Sequence, residues 1–228
     1  HWRVDRVLGG VAHPGQPWLF RHPRVSAWSL DELVGPWALG TASEEHGLFT
    51  GDPLLGEPGA SASTGSSVRF DGSGDAILVA TPLDLFTDAL TISAWVRRDG
   101  SQSPFSGIVF SRDASTTAGL NFGEANELRY HWNNSGSTWG FDSGLVVPDD
   151  TWVFCALVVA PDRAELYLGD AGVLTSATNP VGHGIEEFDG QLQIGQDPTG
   201  GRYFDGWLDQ VRIHRGAMTA AELSALYL

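Results

Sequence analysis

A short run of acidic and glycine residues, Asp71-Gly-Ser-Gly-Asp75, has the composition of a metal-binding turn. It brings two carboxylates close together in sequence, and Gly74 leaves its backbone free to turn a carbonyl toward an ion. Calcium prefers about six to eight oxygen ligands of these kinds. The run therefore predicts a structural calcium site at Asp71, Gly74 and Asp75. The same residues also suit a turn without any ion, because aspartate side chains bond to the backbone of tight turns.

A second run, residues 129–142, has the composition of a sugar-binding surface. Aromatic rings can stack on the C–H face of a sugar, and polar neighbours can bind its hydroxyls. Side chains alternate along a strand, so Tyr130 and Trp132 share one face. Both rings suit the core of a β-sandwich, which leaves the opposite face and the following turn for a ligand. The predicted ligand-binding residues are Arg129, His131, Asn133 and Trp139 in this run, with Arg202 and Tyr203 from a second loop, residues 195–203, as the rim.

The sequence holds no pattern that predicts catalysis. Glycoside hydrolases need two carboxylates that face each other across a site, and no Glu-x-Asp-x-x-Glu strand occurs. Glu124 and Glu127 fall at a predicted hairpin turn, and Glu186-Glu187 is expected to be solvated loop charge. No Gly-x-Ser-x-Gly nucleophile turn occurs either. We therefore expect a protein that is not an enzyme, with a polysaccharide-active hydrolase or lyase as an alternative.

Charge and cysteine content exclude several classes of protein. Asp and Glu number 28 and Lys and Arg 13, for a net charge of −15, so a nucleic acid would be repelled. A neutral glycan or a divalent cation would not be repelled. No apolar run approaches the roughly 18 residues of a membrane span, so no membrane insertion is expected. The single cysteine, Cys155, lies in the apolar run 152–160, which predicts a buried thiol and allows no intramolecular disulfide.

The elements that would position these residues are short strands. From residue 66 to residue 213, apolar and polar residues alternate in short segments that turn residues separate. This pattern favours an antiparallel β-sandwich of the jelly-roll type over a fold of alternating strands and helices. Thr219-Ala-Ala-Glu222 has capping-box spacing and predicts a short helix. Around the Asp71 turn the alternation predicts a hairpin with the inward residues Val68, Phe70, Ile77 and Val79.

The N-terminal part of the sequence is unlike the rest. Prolines and glycines interrupt it and predict loops and short edge strands. Two segments share the pattern Trp-x-hydrophobic-Asp, Trp2–Asp5 and Trp28–Asp31, and either suits the first strand. Residues 51–67 predict a connection over the surface. We expect residues 1–50 to form an extension packed on the sandwich and residues 51–228 to form the jelly-roll domain.

Several motifs occur in an order that is typical of one protein family. They are Ser67–Val79, Leu90–Arg97, Asp150–Val158 followed by Ala164–Leu168, and Phe204–Leu223. The last contains Gly-Trp-Leu-Asp-Gln-Val-Arg-Ile, which is similar to the family's final strand. Over residues 51–228 the sequence resembles the laminin-G-like, concanavalin A-like lectin jelly rolls of bacterial extracellular proteins. The resemblance implies an all-β antiparallel sandwich with a short C-terminal helix.

The resemblance also implies a function and a fourth calcium ligand. In the family an aspartate of the last strand lies close to the first hairpin, which adds Asp209 to the predicted site, with Asp205 as a spare ligand. The family implies a non-catalytic carbohydrate-binding or adhesion module, stabilised by calcium, within a larger secreted bacterial protein. We expect a monomeric module that binds a glycan or polysaccharide outside the cell or at its surface. A protein-interaction or structural spacer domain is the alternative.

Overall fold

Short β-strands fill much of the chain, as the alternation of apolar and polar residues predicts. The computed structural model describes residues 25–42, 45–113 and 116–227, together with the backbone of four short strands that precede residue 25. In chain order the strands are β1 (Trp2–Arg3), β2 (Arg6–Leu8), β3 (Val11–His13), β4 (Pro17–Trp18), β5 (Val25–Trp28), β6 (Trp37–Ala38), β7 (Gly47–Thr50), β8 (Leu54–Pro58), β9 (Ser66–Asp71), β10 (Ala76–Val79), β11 (Leu90–Arg98), β12 (Gly107–Arg112), β13 (Thr117–Phe122), β14 (Leu128–His131), β15 (Val153–Ala160), β16 (Arg163–Asp170), β17 (Val173–Asn179), β18 (Gln191–Ile194), β19 (Gln196–Asp197), β20 (Arg202–Tyr203) and β21 (Asp205–Arg215). The helices are α1 (Gly136–Trp139) and α2 (Ala220–Tyr227).

Two large sheets form a sandwich, and their strands pair in an antiparallel manner. Sheet I has the order β14-β13-β12-β18-β10-β7-β6. Sheet II has the order β17-β16-β15-β11-β21-β9-β8, and β5 also pairs with β21. This arrangement confirms the predicted antiparallel sandwich with a short C-terminal helix.

The core lies between the two sheets and takes the inward side chain of every second residue. On β13, Ala118, Leu120 and Phe122 belong to this core, and the residues between them point to the outer face of sheet I. Tyr130 and Trp132 are 0% and 1% exposed, which confirms that both rings face inward. The alternation along β14 therefore turns Arg129 and His131 outward, as predicted.

Strand β15 is buried on both faces, which explains its unbroken apolar run. All eight of its residues are buried. Cys155 faces the core, while Phe154 and Val158 lie on the outer face of sheet II and pack with Leu223 of α2. A strand that is covered on both sides needs no polar alternation. Cys155 is buried as predicted, and burial raises the pKa of its thiol.

Strands β9 and β10 flank the Asp71 turn but do not pair with each other. β9 pairs with β8 and β21 in sheet II, whereas β10 pairs with β7 and β18 in sheet I. The predicted hairpin is therefore wrong. Its inward residues are nevertheless buried as predicted, namely Val68, Phe70, Ile77 and Val79. Alternation identifies the side chains that face the core. It does not tell which sheet a strand joins, because a sandwich core has a sheet on either side.

Residues 25–58 add strands to both sheets. β5, which contains Trp28, pairs with β21, whereas β1, which contains Trp2, pairs with β4 in a separate two-stranded sheet. The Trp28 segment is thus the one that joins the sandwich. The predicted surface connection of residues 51–67 is wrong in part, because β8 pairs with β9 at the edge of sheet II. The domain limits at residues 50 and 51 stay predictions.

Helix α2 begins with the predicted capping box. The Thr219 N–H donates to Glu222 Oε2 at 2.7 Å, and the Glu222 N–H donates to Thr219 Oγ1 at 3.3 Å. The helix covers the outer face of sheet II. Within the described residues, neither α1 nor α2 has the length and apolar composition needed to cross a membrane.

Candidate carbohydrate and calcium sites

The predicted sugar-binding ring, Trp139, lies at the end of helix α1 and is 41% exposed. This helix is a single turn of four residues. Such a turn is not stable by itself, because helix nucleation is unfavourable. The position of Trp139 therefore depends on bonds between its turn and neighbouring segments.

A buried polar network ties the turn to the core. Tyr130 Oη lies 3.0 Å from His183 Nε2, and Asn179 Nδ2 donates to Tyr130 Oη at 2.8 Å. Asn179 Nδ2 also donates to the carbonyl of Ser137, within α1, at 2.8 Å. Burial raises the pKa of Tyr130 to about 12 and lowers the pKa of His183. The phenol therefore stays protonated and the imidazole neutral at pH 7, so the network fixes the turn without burying a charge.

The loop after β17 holds the same turn from a second direction. Trp132 Nε1 donates to the Gly184 carbonyl at 2.7 Å, and Asn133 Nδ2 donates to the Ile185 carbonyl at 2.9 Å. The Asn133 N–H donates to Glu186 Oε2 at 3.2 Å. Glu186 is fully buried, and burial raises the pKa of its carboxyl. The prediction that Glu186 is solvated is therefore wrong, because the fold places this loop carboxylate against the turn after β14.

Asn133 and Trp139 lie in the segment that follows β14, and both are exposed. Asn133 has a φ of 49°, in the left-handed region that asparagine tolerates better than most residues. Its amide nitrogen is bonded to Ile185, and no described residue donates to its amide oxygen. That oxygen can accept a hydrogen bond from a ligand hydroxyl.

Arg129 and His131 face away from the core but do not form an open surface. His131 is 5% exposed and packs edge-on against Phe105 and Phe110, with ring centroids 5.9 and 5.1 Å away. Burial lowers the pKa of His131 to about 4, so its ring is neutral at pH 7. Arg129 forms an ion pair of 2.5 Å with Glu127. Both side chains are thus engaged within the protein.

Arg202 and Tyr203 belong to the small β19-β20 hairpin. Tyr203 pairs with Gln196 across this hairpin. Asp197, which follows Gln196 in the sequence, is fully buried. Arg112 Nε donates to one oxygen of Asp197 at 2.7 Å, and Arg202 NH1 donates to the other at 2.6 Å. Sequence reasoning missed Arg112, because 85 residues separate it from Asp197 and no local pattern indicates the pair. Arg202 therefore serves as a counter-ion to a buried carboxylate.

Three aspartates meet at the predicted calcium turn. Carboxylate oxygens of Asp52, Asp71 and Asp75 lie within 4.8 Å of one another. Asp75 is 1% exposed and accepts the backbone N–H groups of Asp52 at 2.8 Å and of Asp71 at 3.0 Å. Burial raises the pKa of Asp75, and the nearby charges of Asp71 and Asp52 add to the rise. These are the hard oxygen donors that calcium prefers, so the residues fit that ion.

Gly74 also lies beside this group, whereas Asp52 was not predicted to join it. A Cβ atom on Gly51 would lie 2.8 Å from the Gly74 carbonyl oxygen, so that oxygen approaches the segment that carries Asp52. Asp52 follows β7, and the pairing of Thr50 with Ala76 brings it to the turn. The segment Gly51-Asp-Pro53 predicts a turn, but the sequence does not tell that this turn lies beside Asp71 and Asp75.

Asp209 is not part of the aspartate group. The strand register places Asp205 opposite Asp71, and Asp209 lies four residues further along β21, opposite Trp95. Its Oδ2 accepts the Ala60 N–H at 2.9 Å. The resemblance indicated an aspartate of this strand but did not fix the register, which determines the residue that reaches the turn.

This chain belongs to the concanavalin A-like lectin/glucanases superfamily, because a laminin-G family model with that description matches residues 71–224, more than half of the chain. The family match confirms the relationship that the sequence motifs indicate. No curated protein matches the chain by sequence.

Solved structures that resemble this chain include a domain of an arabinanase and a sialidase. Domain 4 of AbnA, an extracellular arabinanase from Geobacillus stearothermophilus solved with arabinotriose, is 19% identical with a TM-score of 0.66, over 90% of this chain and 99% of that one. Trypanosoma rangeli sialidase, solved with the inhibitor DANA, is 13% identical with a TM-score of 0.63, over 89% of this chain and 32% of that one. The chain thus spans about a third of the sialidase and the whole of the arabinanase domain. At these identities the likeness shows a shared fold.

Proposed function

We propose that this chain is a non-catalytic carbohydrate-binding or adhesion module in which Trp139 forms the centre of the ligand surface. The observation that carries the proposal is an exposed indole on a turn that buried hydrogen bonds hold in place. A turn that is already fixed loses little backbone conformational entropy when a ligand binds. The superfamily and the sugars bound by structural neighbours support the same class of ligand.

A neutral sugar is the ligand that suits this surface. The indole of Trp139 offers a flat apolar face to sugar C–H groups, and the amide oxygen of Asn133 can accept a hydroxyl. The predicted arginines, Arg129 and Arg202, are already paired with carboxylates. A neutral ligand also avoids repulsion by the net charge of −15.

Replacement of the exposed ring tests this assignment. Trp139→Ala is expected to weaken binding of a neutral glycan, selected on a glycan array, by about tenfold or more, because central aromatic residues contribute on the order of 2 kcal/mol. Isothermal titration calorimetry measures the affinity. The unfolding temperature is expected to stay nearly constant, because the ring is largely outside the core.

Trp37→Ala is the matched control. Trp37 is 48% exposed and lies on β6, at the opposite edge of sheet I from β14. Its replacement is expected to leave the affinity unchanged. Full affinity in Trp139→Ala, or an equal loss in both variants, would contradict the assignment of the site to Trp139.

The proposal includes a calcium ion bound by Asp52, Asp71 and Asp75, with the Gly74 carbonyl as a further ligand. Asp71 ends a strand of sheet II, whereas Asp52 follows a strand of sheet I. An ion there would link the two sheets and offset the repulsion among three carboxylates. Its role would thus be structural. We further propose that the module is monomeric and forms part of a larger secreted protein.

A protein-interaction role is the second candidate, and one observation favours it. Residues 33–39 expose several apolar side chains, namely Leu33 at 71%, Val34 at 83%, Trp37 at 48% and Leu39 at 50%. Contiguous exposed apolar surface is typical of protein interfaces. The control above separates the two functions, since Trp37→Ala would then weaken capture of a protein partner and leave glycan binding intact.

A further inference from the structure

A cavity lies at the outer face of sheet II. Its volume is about 130 Å³. The loop before β9, the strands β11, β15 and β21, and the end of α2 supply its walls. The lining residues are Ser63, Thr64, Trp95, Phe154, Gln210, Arg212 and Leu226. A cavity of roughly 150 Å³ holds a benzene ring, so this smaller one has room for part of a sugar ring.

Arg212 is the charged residue of this cavity, and it has no carboxylate partner among the described residues. Seven of the nine arginines in the described ranges form ion pairs, and these are Arg69, Arg97, Arg98, Arg112, Arg129, Arg163 and Arg202. Arg215, the other unpaired one, is exposed, whereas Arg212 is partly buried. Its NH2 group donates to Gln210 Oε1 at 2.8 Å, which leaves most of its donors free.

An unpaired, partly buried guanidinium is unexpected in a chain with more than twice as many acidic as basic residues. Arginine binds a carboxylate with two parallel hydrogen bonds, and such charge-assisted bonds are about twice as strong as neutral ones. The strand register places Arg212 opposite Ser93, which supplies no charge. The free donors of Arg212 are thus available to an anion in the cavity.

Aromatic rings line another part of this cavity and contact one another. Trp95 lies 5.8 Å from Phe154 in an edge-on arrangement and 5.4 Å from Tyr227, measured between ring centroids. Trp207, on the same face of sheet II, differs because Arg69 and Arg97 lie over its ring at 4.6 and 4.3 Å. Trp95 therefore offers apolar ring surface to a ligand where Trp207 is engaged by guanidinium groups.

We propose that this cavity binds one uronic acid residue of a polysaccharide, because Arg212 supplies locally the positive charge that offsets repulsion of a single carboxylate by the net charge of −15. The sugar carboxylate pairs with Arg212, and the sugar ring packs against Trp95. The site lies on sheet II and is separate from Trp139, so it does not depend on the function proposed for that ring.

Calorimetric titration of the whole chain with short oligogalacturonides tests this proposal. Arg212→Gln is expected to lower the affinity by about tenfold or more, because the charge-assisted hydrogen bonds to the sugar carboxylate are lost. Arg215→Gln is the matched control, because Arg215 lies on the same strand, is also unpaired and does not line the cavity. Arg215→Gln is expected to bind as the unmodified chain does.

Two further measurements separate recognition of the sugar acid from general attraction of anions. Methyl-esterified oligogalacturonides keep the ring but lose the charge, and they are expected to bind the unmodified chain as weakly as the acid binds Arg212→Gln. Leu226→Trp, which fills the cavity and keeps Arg212, is expected to abolish binding. Circular dichroism confirms that each variant is folded.

The proposal is overturned by any of the following results. These are the absence of oligogalacturonide binding, equal binding of the acid and the ester, unchanged affinity in Arg212→Gln, and equal loss in Arg212→Gln and Arg215→Gln. Acetate that competes as well as free galacturonate would also overturn it, because the site would then bind any carboxylate and not the sugar.

Discussion

Two aspartates on the outer sides of the two sheets are equally buried but differ in their electrostatic surroundings. Asp197, at sheet I, and Asp209, on sheet II, are both 0% exposed. Asp197 accepts hydrogen bonds from Arg112 and Arg202, whereas Asp209 accepts the backbone N–H of Ala60. Burial raises the pKa of Asp209 to about 6. A buried carboxylate stays ionised at little cost only where positive groups replace the lost water.

A third aspartate, Asp75, extends the comparison. Two backbone N–H groups donate to its carboxylate, but two further carboxylates lie beside it. Its charge therefore adds repulsion to the cost of burial. The three sites teach that burial alone does not define the role of an acidic residue, since the nearest positive group decides whether its charge stabilises the fold.

Removal of the charge of Asp197 is expected to have the largest effect. Asp197→Asn leaves two guanidinium groups around a neutral side chain, and breaking a buried ion pair costs roughly 3–5 kcal/mol. The free energy of unfolding, measured with urea, is expected to fall by that amount. Asp162→Asn is the control, because Asp162 pairs with Arg163 but is 78% exposed, and its loss should change stability little. Similar effects of the two variants would show that burial does not separate these ion pairs.

Calcium is expected to have an intermediate effect through Asp75 and its neighbours. An ion bound to the folded state stabilises it by about 2.7 kcal/mol at a free concentration 100-fold above Kd. Thermal unfolding in calcium and in chelator measures this shift. Asp52→Asn should abolish it, whereas Asp209→Asn should leave it intact, since Asp209 lies away from the cluster. A calcium response that depends on Asp209 instead would contradict the strand register.

The pH dependence of stability is expected to reveal Asp209 with the smallest effect. Because its pKa is raised to about 6 from 3.8, the folded state holds this proton more tightly than the unfolded state. The protonated Asp209 carboxyl therefore contributes about 1–3 kcal/mol to the free energy of unfolding. This contribution is fully present below about pH 4 and is lost as the pH rises through 6. The free energy of unfolding is measured with urea from pH 4 to pH 7 for the unmodified chain and for Asp209→Asn. The difference between the two isolates the pH dependence that Asp209 contributes. Asp162→Asn should retain it, and a flat difference curve would show that Asp209 ionises normally.

The local pattern of the sequence predicts much of the fold. Alternation identified the inward residues Val68 and Phe70, and capping-box spacing identified the start of α2. The unbroken apolar run around Cys155 indicated a buried strand. Each of these features depends on residues a few positions apart, so a one-dimensional pattern contains the information.

The pattern failed where a residue's surroundings come from distant segments. Glu186 has a polar local sequence, yet it is buried against the turn after β14. The β9-β10 hairpin was wrong, because alternation does not tell which of two sheets a strand enters. For the same reason Asp52 was missed and Asp209 was assigned to a turn that its register does not reach.

The sequence by itself determined the class of fold and the burial of its core residues. It also identified Trp139 as a candidate ligand-binding ring. Only the tertiary structure decided which charges are paired, because Arg112 meets Asp197 across 85 residues while Arg212 meets no carboxylate among the described residues. The physical reason is that apolar burial follows the period of a strand, whereas charge pairing depends on contacts between segments far apart in the chain.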